Sequence, residues 1–234
     1  GPLVAGSYGK NLSNGGDRVI LEGPLGEPIL DFTFSDAWYP STDGEGFSLV
    51  IVNALGAPDT WSLKTSWRAS SLLLGDPGAP DSVPANLPAI LINEALTHTD
   101  PPLLDTIELY NPTINPVDLA GWFLTDDPHQ PQKYRLPTGS VIAPGGFLTF
   151  TATQFGASST GFSFDSTGDS VYLFSGDANT NLTGYAHGFA FGAAPNPVAF
   201  GRYVNSQSRE FFILQSANTL GLHNAYPRVG PVVI

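Results

Sequence analysis

Residues 107–125, with the sequence IELYNPTINPVDLAGWFLT, contain two apolar segments separated by a turn-like stretch. In the first segment Ile107 and Leu109 alternate with Glu108 and Tyr110, which predicts a β-strand with one buried face and one face in solvent. The residues NPTINP that follow are rich in asparagine and proline and are typical of a turn. The second segment, VDLAGWFLT, again favours extended structure. The stretch therefore predicts two antiparallel strands.

The same alternation of short apolar segments and turns continues through the chain. Candidate strands recur at intervals of roughly ten residues, and no helical period separates them. A parallel sheet would need crossover helices, so the pattern predicts an all-β antiparallel β-sandwich. The 26 glycines and 21 prolines supply its tight turns. The candidate strands are residues 17–22, 29–35, 46–53, 66–71, 89–95, 105–111, 117–125, 132–136, 147–152, 170–174, 183–191, 198–204 and 210–214.

Composition excludes several kinds of site and partner. The chain has no cysteine, which excludes disulfides, thiolate zinc sites and cysteine nucleophiles. Its 9 Lys and Arg residues against 21 Asp and Glu residues give a net charge of -12, which argues against binding nucleic acid through bulk charge. No apolar run approaches the ~18 residues of a membrane-spanning helix, so no membrane insertion is expected.

An internal repeat relates the beginning of the chain to its later part. Residues 14–21 (NGGDRVIL) resemble residues 166–173 (STGDSVYL), because both place a Gly-Asp turn before an apolar strand. The first part of the chain thus corresponds only to the back half of the later unit. Three further pairs of segments follow in the same order, residues 32–34 with 188–191, residues 69–71 with 214–216 and residues 75–80 with 218–224.

A domain boundary is predicted near residue 82, where proline and glycine accumulate and the strand pattern is lost. The ending GPVVI, residues 230–234, has the same form as PAILI, residues 88–92, which opens the complete unit. Arbitrary boundaries within a longer protein are the alternative to natural chain ends. The predicted parts are a partial β unit at residues 1–81, a linker at 82–87, a complete β-sandwich at 88–226, and the start of a further unit or an exchanged strand at 227–234.

Five motifs follow one another in the second part: INE at 92–94, IELYN at 107–111, VDLAGWFL at 117–124, IAPGGF at 142–147 and GDSVYL at 168–173. In order and spacing they resemble the bacterial lamin-tail domain family. The resemblance implies an immunoglobulin-like β-sandwich that is generally non-catalytic and occurs in tandem on large exported bacterial proteins. It therefore implies an extracellular or cell-surface location. The residues expected to hold the fold together are Tyr110, Gly121, Trp122, Gly145, Gly146 and Asp169.

The strongest candidate for chemistry is the acidic group Glu94, Asp105 and Glu108, with His98 in the adjoining loop. Carboxylates on neighbouring strands can act as acid and base in a hydrolase, or can bind calcium together. We favour a third interpretation, in which they are solvated charges at strand edges. No catalytic residue and no cofactor are then expected, and a weak calcium site at these three acids is the alternative.

Aromatic residues suggest a second class of function. Trp38, Tyr39, Trp61 and Tyr226 can stack on sugars if they are exposed, which would make the chain a carbohydrate-binding module with glycans as partners. Closing an apolar face is the commoner role of such residues, and we favour it here.

The preferred function is a structural or adhesive module that is not an enzyme. The expected partners are other copies of the chain or neighbouring lamin-tail-like units. Val232, Val233 and Ile234 are the expected assembly residues, because a short apolar strand can add to the sheet of the next copy. Such head-to-tail contacts need not close and would produce a filament.

Overall fold

The computed structural model describes residues 11–13, 15–44, 46–81, 87–207 and 209–229. These residues form fifteen β-strands, one short α-helix and four 3-10 turns. Strand pairs are antiparallel, which confirms the predicted all-β class. The elements are β1 (Asp17–Glu22), β2 (Pro28–Phe34), β3 (Leu49–Ile51), β4 (Trp67–Ala69), β5 (Leu91–Leu96), β6 (Thr106–Tyr110), β7 (Val117–Asp118), β8 (Phe123–Thr125), β9 (Tyr134–Arg135), β10 (Val141–Ile142), β11 (Phe147–Thr151), α1 (Ala152–Phe155), β12 (Gly168–Gly176), β13 (Leu182–Gly192), β14 (Phe200–Val204) and β15 (Glu210–Leu214).

The chain divides into two compact units. Described residues up to Leu87, together with Asn181–Ala186, form the first, and the second contains Pro88–Thr180 and the described residues from His187 onwards. Two separate two-stranded sheets, β1 with β2 and β3 with β4, belong to the first unit. That this unit is a partial copy of the second stays a prediction. No helix in the described ranges is long and apolar enough to cross a membrane.

The second unit is an immunoglobulin-like β-sandwich. One sheet has the order β11-β6-β5-β14-β15, another has the order β13-β12-β8-β9, and β10 pairs with β7. Aromatic rings of the two large sheets meet, with Phe189 stacked on Phe212 at a centroid distance of 3.7 Å and Phe191 at 5.4 Å from Phe200. These contacts join the sheets into one core. Its fully buried aliphatic side chains include Ile92, Ile107, Leu109, Leu124 and Leu173.

The first unit packs around aromatic rings. The Phe32 ring lies 5.5 Å from the Trp61 ring and 5.3 Å from the Trp67 ring, and the two indole rings are 6.1 Å apart. The Tyr39 hydroxyl donates a hydrogen bond to Trp67 O at 2.7 Å. These rings form a packed aromatic cluster in the first unit. Apolar side chains of β1 and β2 nevertheless stay exposed, Ile29 among them.

The repeated Gly-Asp motif forms the same turn in both units. Asp17 Oδ2 accepts a hydrogen bond from Ser13 N at 3.2 Å, and Asp169 Oδ2 accepts one from Asp165 N at 3.1 Å. Each aspartate also accepts a hydrogen bond at 2.8 Å from the backbone N–H of the residue after it. The carboxylate therefore ties the turn to the first residues of the strand in both places.

Residues 117–125 were expected to form one strand, and this prediction is wrong in one respect. The structure has two short strands, β7 and β8, with a turn between them in which Trp122 N donates to Leu119 O at 3.0 Å. Gly121 has φ +90° in this turn, a conformation that a side chain disfavours. The turn lets β7 pair with β10 while β8 joins the sheet of β12.

Candidate functional site

Glu94 and Glu108 lie directly opposite each other on β5 and β6. Both side chains are completely buried, so the expectation that they are solvated strand-edge charges is wrong. The alternation that predicted a solvated face for Glu108 and Tyr110 fails for the same reason, since Tyr110 is half-buried. Local alternation cannot show that a later part of the chain covers this face. The covering segment is residues 215–224, which follow β15.

The Glu94 carboxylate accepts three hydrogen bonds from one residue of this covering segment. Thr219 N donates to Oε1 at 3.0 Å and to Oε2 at 3.1 Å, and the Thr219 hydroxyl donates to Oε2 at 2.6 Å. Hydrogen bonds to a charged acceptor are stronger than those between neutral groups. Glu94 therefore anchors the covering segment to β5.

The Glu108 carboxylate anchors the same segment two residues further on. Its Oε2 atom accepts a hydrogen bond from Gly221 N, and its Oε1 atom accepts one from Asn93 Nδ2 at 2.8 Å. Asn93 in turn exchanges hydrogen bonds with Asn224, donating to Oδ1 at 2.8 Å and accepting at its backbone O at 3.0 Å. A bulge between Ile92 and Glu94 shifts the register of β5 here, and bulges redirect side chains in this way.

The electrostatics of the pair follow from its burial. Removal from water raises the pKa of Glu108, the hydrogen bonds from Gly221 and Asn93 oppose this rise, and the charge of Glu94 adds to it. The ion pairs found among the described residues involve other carboxylates. The two acids are therefore stabilised by hydrogen-bond donors of the covering segment and of Asn93.

The remaining members of the predicted acidic group have partners of their own. Asp105 accepts a hydrogen bond from the Thr99 hydroxyl at 2.8 Å, and burial raises the pKa of Asp105 against the effects of Thr99 and His98. His98 Nδ1 donates to Ala194 O at 2.7 Å. The described ranges contain no group of three or more His, Asp or Glu residues placed to hold a metal ion.

The geometry of the pair suits a structural tie better than a reacting centre. An acid-base pair must reach a substrate, and a calcium site needs six or more oxygen ligands around an open position. Glu94 and Glu108 are inaccessible and already accept protein hydrogen bonds. Two surface clefts, of about 580 and 340 Å³, are lined by other residues, such as Lys133 and Thr160 in the larger and Val50 and Trp67 in the smaller.

Comparison with known proteins agrees with the sandwich. The family model for the Lamin Tail Domain matches residues 84–188, which include the strands β5 to β12. Residues 84–188 therefore match a lamin tail domain. This family is an immunoglobulin-like, non-enzymatic β-sandwich, so the recognised family and the observed fold are consistent. No curated protein and no solved structure matched the chain.

The residues expected to hold the lamin tail domain together occupy its core and turns. Trp122 is buried, and the Tyr110 ring stacks on Phe147 at a centroid distance of 5.0 Å. At Gly121, an added Cβ would lie 2.7 Å from Asp177 O, so backbone approaches too closely for a side chain. Gly145 and Gly146 form the turn into β11, where Gly145 N donates to Asn111 O at 2.9 Å.

The anchoring partners of the acids were missed in the sequence. Thr219, Gly221 and Asn224 lie more than 100 residues from Glu94 and Glu108, and the stretch NTLGLHN has the composition of an ordinary loop. The internal repeat pairs this stretch with a loop of the first unit but does not indicate what it covers. The one local signal is the side-by-side Asn93 and Glu94 in an apolar strand, an unusual composition for a core position.

The aromatic and assembly candidates have different outcomes. Trp61 belongs to the packed ring cluster of the first unit, Tyr39 is hydrogen-bonded to Trp67 O, and Trp38 is half-buried. Tyr226, by contrast, is 86% exposed. A sugar platform formed by all four aromatics therefore has no support. The predicted assembly residues Val232, Val233 and Ile234 lie outside the described residues.

Proposed function

We propose that this chain is a non-catalytic structural or adhesive module of an exported or cell-surface bacterial protein. The observation that carries the proposal is the placement of Glu94 and Glu108, the residues best suited to chemistry. Both are buried and tie the segment after β15 to the sheet of the lamin tail domain. Their role in this proposal is to fix the end of the sandwich, so that it can transmit load or present a surface.

The proposal includes self-assembly through the last residues, Val232 to Ile234, added as a strand to the sheet of another copy. Support comes from the residues that lead into this segment. Pro227 forms a β-bridge with Gln215, and Arg228 N donates to Leu214 O at 2.8 Å. The chain therefore approaches the segment from a fixed point at the end of β15, which favours strand donation over a freely moving tail.

Self-assembly is tested with the purified full chain and a variant lacking residues 230–234. Sedimentation and negative-stain microscopy over a range of concentrations should show assemblies for the full chain and monomers for the deletion variant. A matched control is Leu55→Lys, which changes an exposed leucine elsewhere and should leave assembly unchanged. Unchanged assembly of the deletion variant would exclude strand donation, and a full chain that stays monomeric throughout would exclude self-assembly.

The absence of catalysis is tested by activity assays with glycoside, ester and peptide substrates. The full chain and the variants Glu94→Gln and Glu108→Gln should be equally inactive, while Glu94→Gln should have a lower unfolding temperature because one of its two hydrogen-bond acceptors is lost. Turnover by the full chain that disappears in a folded Glu108→Gln variant would overturn the proposal.

A further inference from the structure

Among the described residues, the two strand pairs of the first unit leave open two strand edges whose counterparts in the second unit are occupied. In the described residues, β1 pairs only with β2, and β3 pairs only with β4. The repeated turn identifies β1 with β12. The pairing of Leu49 with Ala69, like that of Phe200 with Leu214, identifies β3 with β14. Each open edge therefore has an occupied counterpart in the same molecule.

In the second unit, the edge of β12 that corresponds to the open edge of β1 pairs with β8. In the second unit Leu173 of β12 lies opposite Leu124, and Tyr172 lies opposite Thr125. The equivalent residues of β1 are Leu21 and Ile20, by the alignment of the Gly-Asp turns. A strand of the β8 type would thus place its leucine opposite Leu21.

In the second unit, the edge of β14 that corresponds to the open edge of β3 pairs with β5. Phe200 of β14 lies opposite Ala95, and Gly201 lies opposite Glu94. The equivalent residues of β3 are Leu49 and Val50. A cleft of about 340 Å³ lies at this strand, and its lining is largely apolar, with Leu49, Val50, Ile51, Trp61 and Trp67.

The exposure of β1 differs from that of β12 as a missing neighbour would require. Leu21 is 50% exposed and Leu173 is 0% exposed, while Ile20 is 45% exposed and Tyr172 is 5% exposed. An open strand edge with exposed aliphatic side chains is a template for strand addition. Natural proteins usually protect such an edge with charge or a covering element.

We propose that the first unit binds the front half of a lamin tail unit, meaning the part that contains β5 and β8 in the second unit. This half would add a β8-type strand to β1 and a β5-type strand to β3. Both pairings occur in the second unit, where β5 pairs with β14 and β8 pairs with β12. If the β1 strands of two copies paired with each other, the β1 edge would be covered but the β3 edge would stay open. A front half covers both, which is why we infer this occupant.

Pairing of a β8-type strand with β1 is tested by disulfide cross-linking, which is possible because the chain has no cysteine of its own. The full chain with Leu21→Cys is mixed with a synthetic peptide of residues 117–126 that carries Leu124→Cys. Directly opposed strand residues lie within disulfide range. Under mild oxidation we expect this pair to cross-link at least tenfold faster than two controls. One control moves the peptide cysteine to Asp126, and the other moves the protein cysteine to Leu55, an exposed turn residue.

Pairing of a β5-type strand with β3 is tested in the same way. Val50→Cys is mixed with a peptide of residues 89–97 that carries Glu94→Cys, and a peptide with cysteine at Leu96 serves as the register control. Hydrogen exchange of the cysteine-free full chain, with both native peptides in excess, should slow by at least tenfold in β1 and β3 and stay unchanged in β11, which is the edge of an occupied sheet.

Several results would overturn the proposal. Equal cross-linking at Leu21 and Leu55 would mean non-specific apolar association. Disulfide-linked dimers of the Leu21→Cys chain that form faster than peptide adducts would assign the edge to a second copy of β1. Absence of both register-specific cross-links and slowed exchange would mean that the edges bind no front half.

This inference rests on the proposed function as an assembly module, and the two can fail separately. A chain that assembles through residues 230–234 but gives no register-specific cross-link retains the proposed function and loses this inference. A chain that stays monomeric but cross-links to both peptides in register retains the docking site and loses the self-assembly.

Discussion

Strand β1 in the first unit and strand β12 in the second follow the same kind of turn but differ in how far neighbouring strands cover them. Asp17 and Asp169 make equivalent hydrogen bonds to their turns. Yet Leu21 on β1 is half exposed, whereas Leu173 on β12 is fully buried. A short motif is therefore sufficient to set turn geometry, while burial depends on neighbouring strands that the motif does not encode.

The loops after the last strand of each unit differ in a related way. In the second unit this loop is anchored by Glu94 and Glu108, which belong to the front half. In the first unit the loop is anchored locally, since Asp81 accepts hydrogen bonds from Ser71 N at 2.9 Å and Ser71 Oγ at 2.8 Å and lies 3.1 Å from Arg68. Where the front-half acids have no described counterpart, an acid within the loop takes over their role.

The largest expected difference between the units comes from truncating the equivalent leucines. Leu173→Ala should lower the free energy of unfolding by about 3 kcal/mol, because it removes a fully buried side chain and leaves a cavity. Leu21→Ala should lower it by less than about 1 kcal/mol, because half of the side chain is already in water. Urea unfolding of both variants checks the difference. Equal losses would mean that β1 is covered in solution.

The second prediction concerns the local anchor of the first unit. Asp81→Ala should destabilise that unit by about 3 kcal/mol, because the largely buried side chains of Arg68 and Ser71 lose their carboxylate partner. Asp76→Ala, an exposed acid in the same loop, should change stability by less than about 0.5 kcal/mol. Hydrogen exchange of β3 and β4 reports on the first unit alone. A similar effect of both variants would show that the Arg68–Asp81 pair is not the anchor.

The sequence predicted features that depend on neighbouring residues and missed those that depend on distant ones. Most strand positions, the Gly-Asp turns and the family resemblance follow from alternation and turn chemistry over ten residues or fewer. The burial of Glu108 does not, since it depends on Gly221, which lies more than 100 residues away. The break between β7 and β8 was also missed, although Gly121 was a local signal for it.

The third prediction tests whether the two turns are equivalent in energy as well as in geometry. Gly16 has φ +98° and Gly168 has φ +139°, and an added Cβ would collide with Phe34 O in the first and Phe191 O in the second. Alanine at either position should therefore destabilise its unit by about 1–3 kcal/mol. Gly139→Ala, with φ +89° and nothing within 4 Å of the added Cβ, isolates the cost of the backbone conformation. Thermal unfolding measures all three, and a smaller loss for Gly16 and Gly168 than for Gly139 would contradict the collision.

The smallest effect is a difference in how acid acts on the two anchors. Burial raises the pKa of Glu108 above the unfolded value of about 4.3, so the folded state takes up the proton more readily. Its contribution to the free energy of unfolding therefore rises as pH falls through the raised pKa and levels off below about 4.3. Burial acts to raise the pKa of Asp81 as well, but the hydrogen bonds from Arg68 and Ser71 and the charge of Arg68 outweigh it and hold the pKa below the unfolded value of about 3.9.

Asp81 thus stabilises the first unit fully above about pH 3.9, and this contribution is lost as pH falls through its lowered pKa. We expect Glu108→Gln to flatten the pH dependence of the second unit above about pH 4.3, and Asp81→Asn to flatten that of the first unit below about pH 3.9. Hydrogen exchange at β6 and at β4, measured from pH 7 to 3 and corrected for intrinsic rates, separates the two units. If Glu108→Gln changed only the dependence below about pH 3.9, or Asp81→Asn only that above about pH 4.3, the opposite behaviour of the two anchors would be disproved.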